Sequence, residues 1–111
     1  MAAKQVDILI EQGATYAQDV ELMINDVLVD LTTATIRGQI RRAFSDALPI
    51  ETFSCTKVDA VNGKFNFGLT AVETAAITAG TYLYDIEVEL SDGTVFRVLQ
   101  GKAKVSAEVT K

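Results

Sequence analysis

Apolar and polar residues alternate along most of this chain, and this period of two restricts its fold more than any other feature. In residues 81–90 every second side chain is apolar, beginning with Tyr82, and most of the others are acidic. Residues 35–41 and 64–69 repeat the alternation, and Pro49 is the only proline. Because successive side chains of a strand point to opposite faces, the pattern predicts an all-β protein.

Further strands are predicted from the same alternation and from the turn residues that end each run. They cover residues 5–10, 16–24, 53–59 and 94–100, with a continuation towards residue 109. Asn25-Asp26 and Asn62-Gly63 are turn signals. The length of 111 residues suits one domain, so we expect a single antiparallel β-sandwich over residues 1–111.

One segment departs from the alternation. Thr70-Ala71-Val72-Glu73 matches the T-x-x-E capping box, in which the threonine and glutamate side chains bind free amides at a helix start. We therefore expect one short helix over residues 71–77, stopped at Gly80.

Ser91-Asp92-Gly93 predicts a hairpin between the last two strands. A three-residue loop with its glycine in the left-handed region sets Glu87 opposite Arg97 and Val88 opposite Phe96. A two-residue loop would instead set Val88 opposite Arg97, so the longer loop is the better match to the apolar faces.

The last strand changes phase. Phe96 and Val98 are apolar at even positions, whereas Ala103 and Val105 are apolar at odd ones. Gly101 lies at the change and is the predicted site of a β-bulge. This register pairs Ile86 with Val98.

The same register leaves apolar side chains on the outer face of the sheet, beside arginines. The candidate interface consists of Leu83, Val95, Arg97, Leu99, Arg37 and Arg41. Outward apolar residues on a small domain can mark a contact surface, and arginine is enriched in interfaces. Two alternatives remain: a solvated face on which Glu87 balances the arginines, and a face covered by the loop over residues 44–50.

Composition restricts the chemistry. The chain has no histidine and a single cysteine, Cys55, which removes histidine-activated nucleophiles and an internal disulfide. We therefore expect a protein that is not an enzyme and has no cofactor. Asp26 and Asp30 beside one turn, and Asp59 with Asn62 in another, are the candidates for a weak calcium site, but solvated turn residues are the preferred interpretation and no metal is expected, because no dense D-x-D-x-D-G loop occurs. A net charge of −5 argues against nucleic acid and anionic membranes as partners, and no apolar run is long enough to span a bilayer.

Gly80-Thr81-Tyr82-Leu83-Tyr84 has the form of a tyrosine corner. In immunoglobulin-like domains this motif marks the crossing from strand E to strand F, and the tyrosine hydroxyl binds the backbone upstream. Tyr82 is the predicted corner tyrosine, and Gly80 precedes it.

Several short motifs, in this order, resemble the small immunoglobulin-like domains of tailed-bacteriophage virions, such as the N-terminal domain of the baseplate upper protein. They are Gln12-Gly13-Ala14-Thr15-Tyr16, Val29-Asp30-Leu31-Thr32 before residues 35–41, Gly63-Lys64-Phe65, and Leu69-Thr70-Ala71-Val72-Glu73-Thr74 before residues 80–86. The resemblance covers residues 5–108 and implies an immunoglobulin-like β-sandwich. The coiled-coil or receptor-binding portion of those proteins has no counterpart here, so receptor binding is not carried over.

The resemblance implies a structural protein of a tailed-phage virion, assembled in the host cytoplasm. Its partners would be other virion proteins, including further copies of itself, in a baseplate, tail-fibre connector or collar. A capsid decoration protein is one alternative. A carbohydrate-binding module that aids adhesion is another, but it needs exposed aromatic rings, and only Tyr16 and Phe44 lack a predicted place in the core.

Overall fold

The computed structural model describes residues 3–43 and 49–109. Within these ranges the chain is mostly β, with several sheets, and the all-β prediction is confirmed at that level. The elements in chain order are β1 (Lys4–Gln5), β2 (Ile8–Glu11), β3 (Tyr16–Glu21), β4 (Met23–Ile24), β5 (Val27–Leu28), β6 (Thr35–Arg41), β7 (Glu51–Thr52), β8 (Ser54–Asp59), a 3-10 helix (Ala60–Asn62), β9 (Lys64–Leu69), α1 (Ala71–Ala75), β10 (Gly80–Glu89) and β11 (Val95–Ser106). No helix in these ranges is both long and apolar enough to cross a membrane.

Two sheets carry most of the strands. The larger has the order β1-β11-β10-β6-β7, with β2 also paired to β11, and the smaller has the order β3-β9-β8. β1 and β2 run parallel to β11, whereas the other neighbouring strands are antiparallel, so the wholly antiparallel prediction is wrong at this edge. Parallel neighbours need a long connection, and here nearly the whole chain lies between them.

Side chains from both sheets meet in one core. The ring of Phe67, on β9, stacks on that of Tyr84, on β10, with centroids 6.3 Å apart. Phe53 packs edge-on against Phe67 at 5.0 Å. The alternating faces are as predicted on β9 and β10, where every second side chain is buried.

Two of the predicted strands are interrupted. The strand over residues 5–10 divides at Val6-Asp7 into β1 and β2, and the one over residues 16–24 divides at Leu22 into β3 and β4. Asn25 and Asp26 have φ of 52° and 63° and form the two-residue turn between β4 and β5. Positive φ at both central positions is what this hairpin turn requires, so the turn signal is confirmed.

The capping box at Thr70 is confirmed. Its hydroxyl accepts from the Glu73 amide at 3.2 Å, and the Glu73 carboxylate accepts from the Thr70 amide at 2.8 Å. The helix ends at Ala75, two residues before the predicted end at residue 77, because the chain then takes Ile77 into the core. Buried Thr74 donates its hydroxyl to the Ala14 carbonyl at 2.9 Å and so fixes α1 to the loop after β2.

The β10–β11 hairpin has the predicted register at its turn. Glu87 pairs with Arg97 and Val88 with Phe96, and Gly93 has a φ of 91° in the loop. The Leu90 amide donates to the Thr94 carbonyl at 2.8 Å and closes the loop.

The bulge lies at a different residue from the predicted one. The register shifts between Ile86 and Glu87, so Ile86 pairs with Leu99 and the extra residue is Val98. Gly101 instead pairs regularly with Tyr84. Because a bulge inserts one residue into one strand, the side chains of Val98 and Leu99 both face the core. The prediction that Leu99 points outward is therefore wrong.

Candidate functional site

Three neighbouring strands, β6, β10 and β11, display charged side chains on the outer face of the larger sheet. Glu87 on β10 lies between Arg37 on β6 and Arg97 on β11 in the strand register. Asp85 and Glu89 flank it on the same face, because residues two apart along a strand point to the same side. We call these five residues the charge ladder.

The charge ladder is connected by ion pairs. Arg37 donates to Glu87 at 3.2 Å and to Glu89 at 2.9 Å. Arg97 lies 3.5 Å from the Asp85 carboxylate and 3.8 Å from that of Glu87. Hydrogen bonds from Arg37 to Glu89 and Glu87 raise the pKa of Arg37, and partial burial, followed by repulsion from Glu87, raises the pKa of Asp85.

These contacts pair the positive charges of both arginines with carboxylates of the same chain. The side chains of Arg37 and Arg97 are 44% and 51% exposed, and ion pairs at this exposure contribute about 0.2–1 kcal/mol each. The outer face is therefore a polar surface of hydrogen-bonded side chains. Glu87 pairs with both Arg37 and Arg97 on it, as expected for a solvated face on which this carboxylate balances the arginines.

The apolar members of the candidate interface do not form one patch. Leu99 is 8% exposed and belongs to the core, whereas Val95 is 46% exposed. Leu83, on β10, is half-buried and pairs with Arg41 and Lys102. Val95 pairs with Glu89, which lies six residues further along β10. At about 3.3 Å per residue this separates Leu83 from Val95 by about 20 Å.

Arg41 is the remaining arginine of the candidate interface. Arg41 donates to the side chain of Gln39 at 2.7 Å on the same face. In the alternative in which the loop over residues 44–50 covers this face, residues 44–48 lie outside the described residues.

Tyr82 makes the hydrogen bond expected of a corner tyrosine. Its buried hydroxyl donates to the backbone carbonyl of Thr78, four residues upstream, at 2.5 Å. Gly80, at the start of β10, has a φ of 158°, a conformation that other residues rarely adopt. The motif at residues 80–84 thus orders the chain as it enters the central strand.

The aromatic rings of the described residues lie mostly in the core. Phe53, Phe65, Phe67, Tyr82 and Tyr84 are buried, and Tyr16 and Phe96 are half-buried. Phe44 lies outside the described residues. A sugar-stacking platform needs exposed rings, so the seven described rings do not supply one.

Two of the carboxylates considered for calcium, Asp30 and Asp59, bind groups of their own turns. Asp30 accepts from the amide of Thr32 at 2.9 Å and from its hydroxyl, and these hydrogen bonds lower the pKa of Asp30. Asp59 accepts from the side chain of Asn62 at 2.9 Å. Residues 3–43 and 49–109 contain no group of three or more metal-binding side chains placed to hold an ion.

A cleft of about 570 Å³ opens between β3 and the N-terminal strands. Val6, Val20 and Leu99 line it, and Tyr16 and Tyr84 reach it from the core. The Tyr16 hydroxyl is buried and has no hydrogen-bond partner in the structure, and burial raises its pKa. Sequence reasoning missed this cleft, because it depends on which strand edges remain unpaired.

Comparison with models of protein families gives no match, and neither does comparison with curated proteins.

Proposed function

We propose that the two larger sheets form an immunoglobulin-like sandwich. In such a domain strands B, E and D share one sheet, and strands C, F and G share the other. β3, β9 and β8 match the first order, and β6, β10 and β11 match the second. The ring contact between Phe67 and Tyr84 and the hydrogen bond from Tyr82 to Thr78 support this assignment.

We further propose that the protein is a non-enzymatic structural component of a tailed-phage virion, in a baseplate, tail-fibre connector or collar. The observation that carries this proposal is the position of the motifs that resemble virion domains. Gln12-Gly13 binds α1, because Gly13 donates to the Thr74 hydroxyl at 3.0 Å, and Leu69-Thr70 leads from β9 into the helix cap. Both motifs lie at junctions between elements of the fold, and this placement supports the proposal.

The proposed mode of action is protein–protein contact through sheet faces and strand edges. The outer face contributes Arg37, Arg41 and Arg97, with Leu83 and Val95 at separate points. Because both arginines of the charge ladder already pair with carboxylates of the same chain, a partner on this face would meet fixed hydrogen-bonding groups rather than uncompensated cations.

The experiment is to purify particles of the phage that encodes the chain, identify the protein by mass spectrometry and locate it by gold-labelled antibody in electron micrographs. We expect label at the tail end or neck. Label over the head surface would instead indicate a capsid decoration protein. Absence from purified particles would contradict any virion role.

A variant pair tests the outer face. Leu83→Asp is expected to fold, because the new carboxylate lies between Arg41 and Lys102 in the strand register, and to reduce incorporation into particles about tenfold or more, because it replaces an apolar side chain of the contact by a charged one. Val72→Asp, at an exposed site on α1, is the matched control and should incorporate normally. Equal incorporation of the two variants would remove Leu83 from the interface.

A further inference from the structure

Two unpaired strand edges border the cleft. β3 pairs with β9 on one side only, and β1 and β2 pair only with β11. Among the described residues no strand lies between them. An edge strand presents free N–H and C=O groups, which can pair with an added strand. The six residues of β3 run for about 20 Å, enough to hold a peptide along its length.

Part of the floor of the cleft between these edges is apolar. Val20, Val6 and Leu99 contribute to the floor, and the rim includes Leu9 and Met23, which are 53% and 42% exposed. An added strand would bury these side chains beneath alternate residues of its own, which is how strand addition gains specificity.

The Tyr16 hydroxyl at this site lacks a partner. A buried polar atom without a hydrogen bond costs free energy, and most such atoms in folded proteins are satisfied. Tyr16 begins β3, lines the cleft and lies against Phe67, with ring centroids 6.1 Å apart, so a residue that lines the cleft carries this unsatisfied hydroxyl.

The charge of the rim distinguishes between possible occupants. Asp7, Asp19 and Glu21 line the cleft together with one lysine, Lys4, which gives a net charge of −2 for the charged residues that line it, and Glu21 also pairs with Lys64 on β9 at 3.9 Å. If two copies of this chain paired β3 with β3, Asp19 and Glu21 of each copy would approach those of the other, and like charges across strands are destabilising. The rim therefore favours a partner with basic residues over a second copy.

We propose that this cleft binds an extended segment of a partner protein, which adds to β3 as an edge strand with apolar residues inward and lysine or arginine at the rim. The inference rests on the proposed assembly role and names a contact surface for it.

The test uses a synthetic peptide of about eight residues in which valine alternates with lysine, and a control peptide with a central proline. Amide exchange of the full chain is followed by NMR. We expect the first peptide to slow exchange in β3 about tenfold or more and to leave β8, the other edge of the same sheet, unchanged. Equal effects on both edges, no effect at millimolar peptide, or equal binding of the proline peptide would overturn the proposal.

Val20→Asp introduces a carboxylate into the cleft and should abolish the protection of β3, whereas Val72→Asp should keep it. If Val20→Asp does not fold, the comparison of β3 with β8 in the unmodified chain still decides. Sedimentation of the free protein tests the second copy, and a stable dimer with β3 protected would contradict the preference for a basic partner.

This outcome is separable from the virion assignment. Peptide binding is measured in solution and does not depend on finding the protein in particles. A chain found in particles that fails to bind the peptide would refute the cleft alone, and a chain that binds the peptide but is absent from particles would refute the virion role alone.

Discussion

The hydroxyl of Tyr84, on the central strand of the larger sheet, donates a hydrogen bond to the backbone carbonyl of Val6, 78 residues earlier in the chain. Val6 lies at the break between β1 and β2, and its amide donates to the Gln100 carbonyl at 2.9 Å. Both backbone groups of Val6 are thus paired with the larger sheet. Hydrogen bonds therefore hold the backbone in place where the first predicted strand is interrupted. Val6, at this interruption, lines one side of the cleft.

Tyr84→Phe should destabilise the protein by about 1–2 kcal/mol, because it removes the buried donor for the Val6 carbonyl. Urea denaturation measures the loss, and amide exchange should quicken around Val6 before it changes in β10. Unchanged stability would show that water replaces the hydroxyl at no cost.

Tyr16→Phe should have the opposite effect. The Tyr16 hydroxyl is buried without a partner, so its removal should leave the free energy of unfolding unchanged or raise it by about 1 kcal/mol. The same denaturation assay, run beside Tyr84→Phe, provides the comparison. A loss of stability as large as that of Tyr84→Phe would mean that the hydroxyl has a partner, such as a bound water molecule.

Tyr82→Phe tests the corner. The hydroxyl of Tyr82 binds the Thr78 carbonyl between α1 and β10, and we expect a loss of about 1 kcal/mol or more in thermal or urea unfolding. The ring remains in the core, so the effect isolates the hydrogen bond. A melting curve identical to that of the unmodified protein would count against a structural role for the corner.

Features fixed by neighbouring residues were predictable from the sequence. The capping box needs only Thr70 and Glu73, three residues apart, and the hairpin register follows from the loop at Ser91-Asp92-Gly93. The alternating faces of β9 and β10 are likewise local, because they depend on the pleat of a single strand.

Features fixed by distant residues were not predictable. The bulge lies at Val98 rather than Gly101 because β11 contacts three other strands, and no local pattern reports their combined register. The inward position of Leu99 follows from that bulge. The cleft exists because β1 and β2 pair with β11 and not with β3. In the sequence, β11 is nearly the whole chain away from β1 and β2, so no local pattern indicates this pairing.

Stability should fall at alkaline pH. Burial raises the pKa of the Cys55 thiol from 9.0 to about 11, and burial, followed by the charges of Tyr16 and Asp7, raises that of Tyr84 from 10.0 to about 12. The unfolded chain loses these protons at lower pH than the folded chain does, so the stabilising contribution is complete below pH 9 and declines from there to pH 12. Each group adds at most about 1.4 kcal/mol per pH unit.

Urea unfolding at a series of pH values measures this decline. Cys55→Ala should remove the decline between pH 9 and 10, reduce it between pH 10 and 11, where Tyr84 also contributes, and leave it unchanged above pH 11. A variant with the same slope as the unmodified protein between pH 9 and 11 would exclude Cys55 as a cause.

Gly101→Ala tests why a glycine is needed where β11 passes the break at Val6. An added Cβ would lie 2.4 Å from the Val6 carbonyl oxygen and 2.9 Å from its carbon, and both atoms belong to backbone that Gln100 and Tyr84 hold in place. The segment must move, so we expect a loss of about 1–3 kcal/mol. Lys104→Ala, at an exposed position of the same strand, is the control. Gly101→Ala and Tyr84→Phe both act on the Val6 segment. The loss of stability in the double variant should therefore be smaller than the sum of the two single losses. Strict additivity in urea denaturation would show that the two residues act on different parts of the fold.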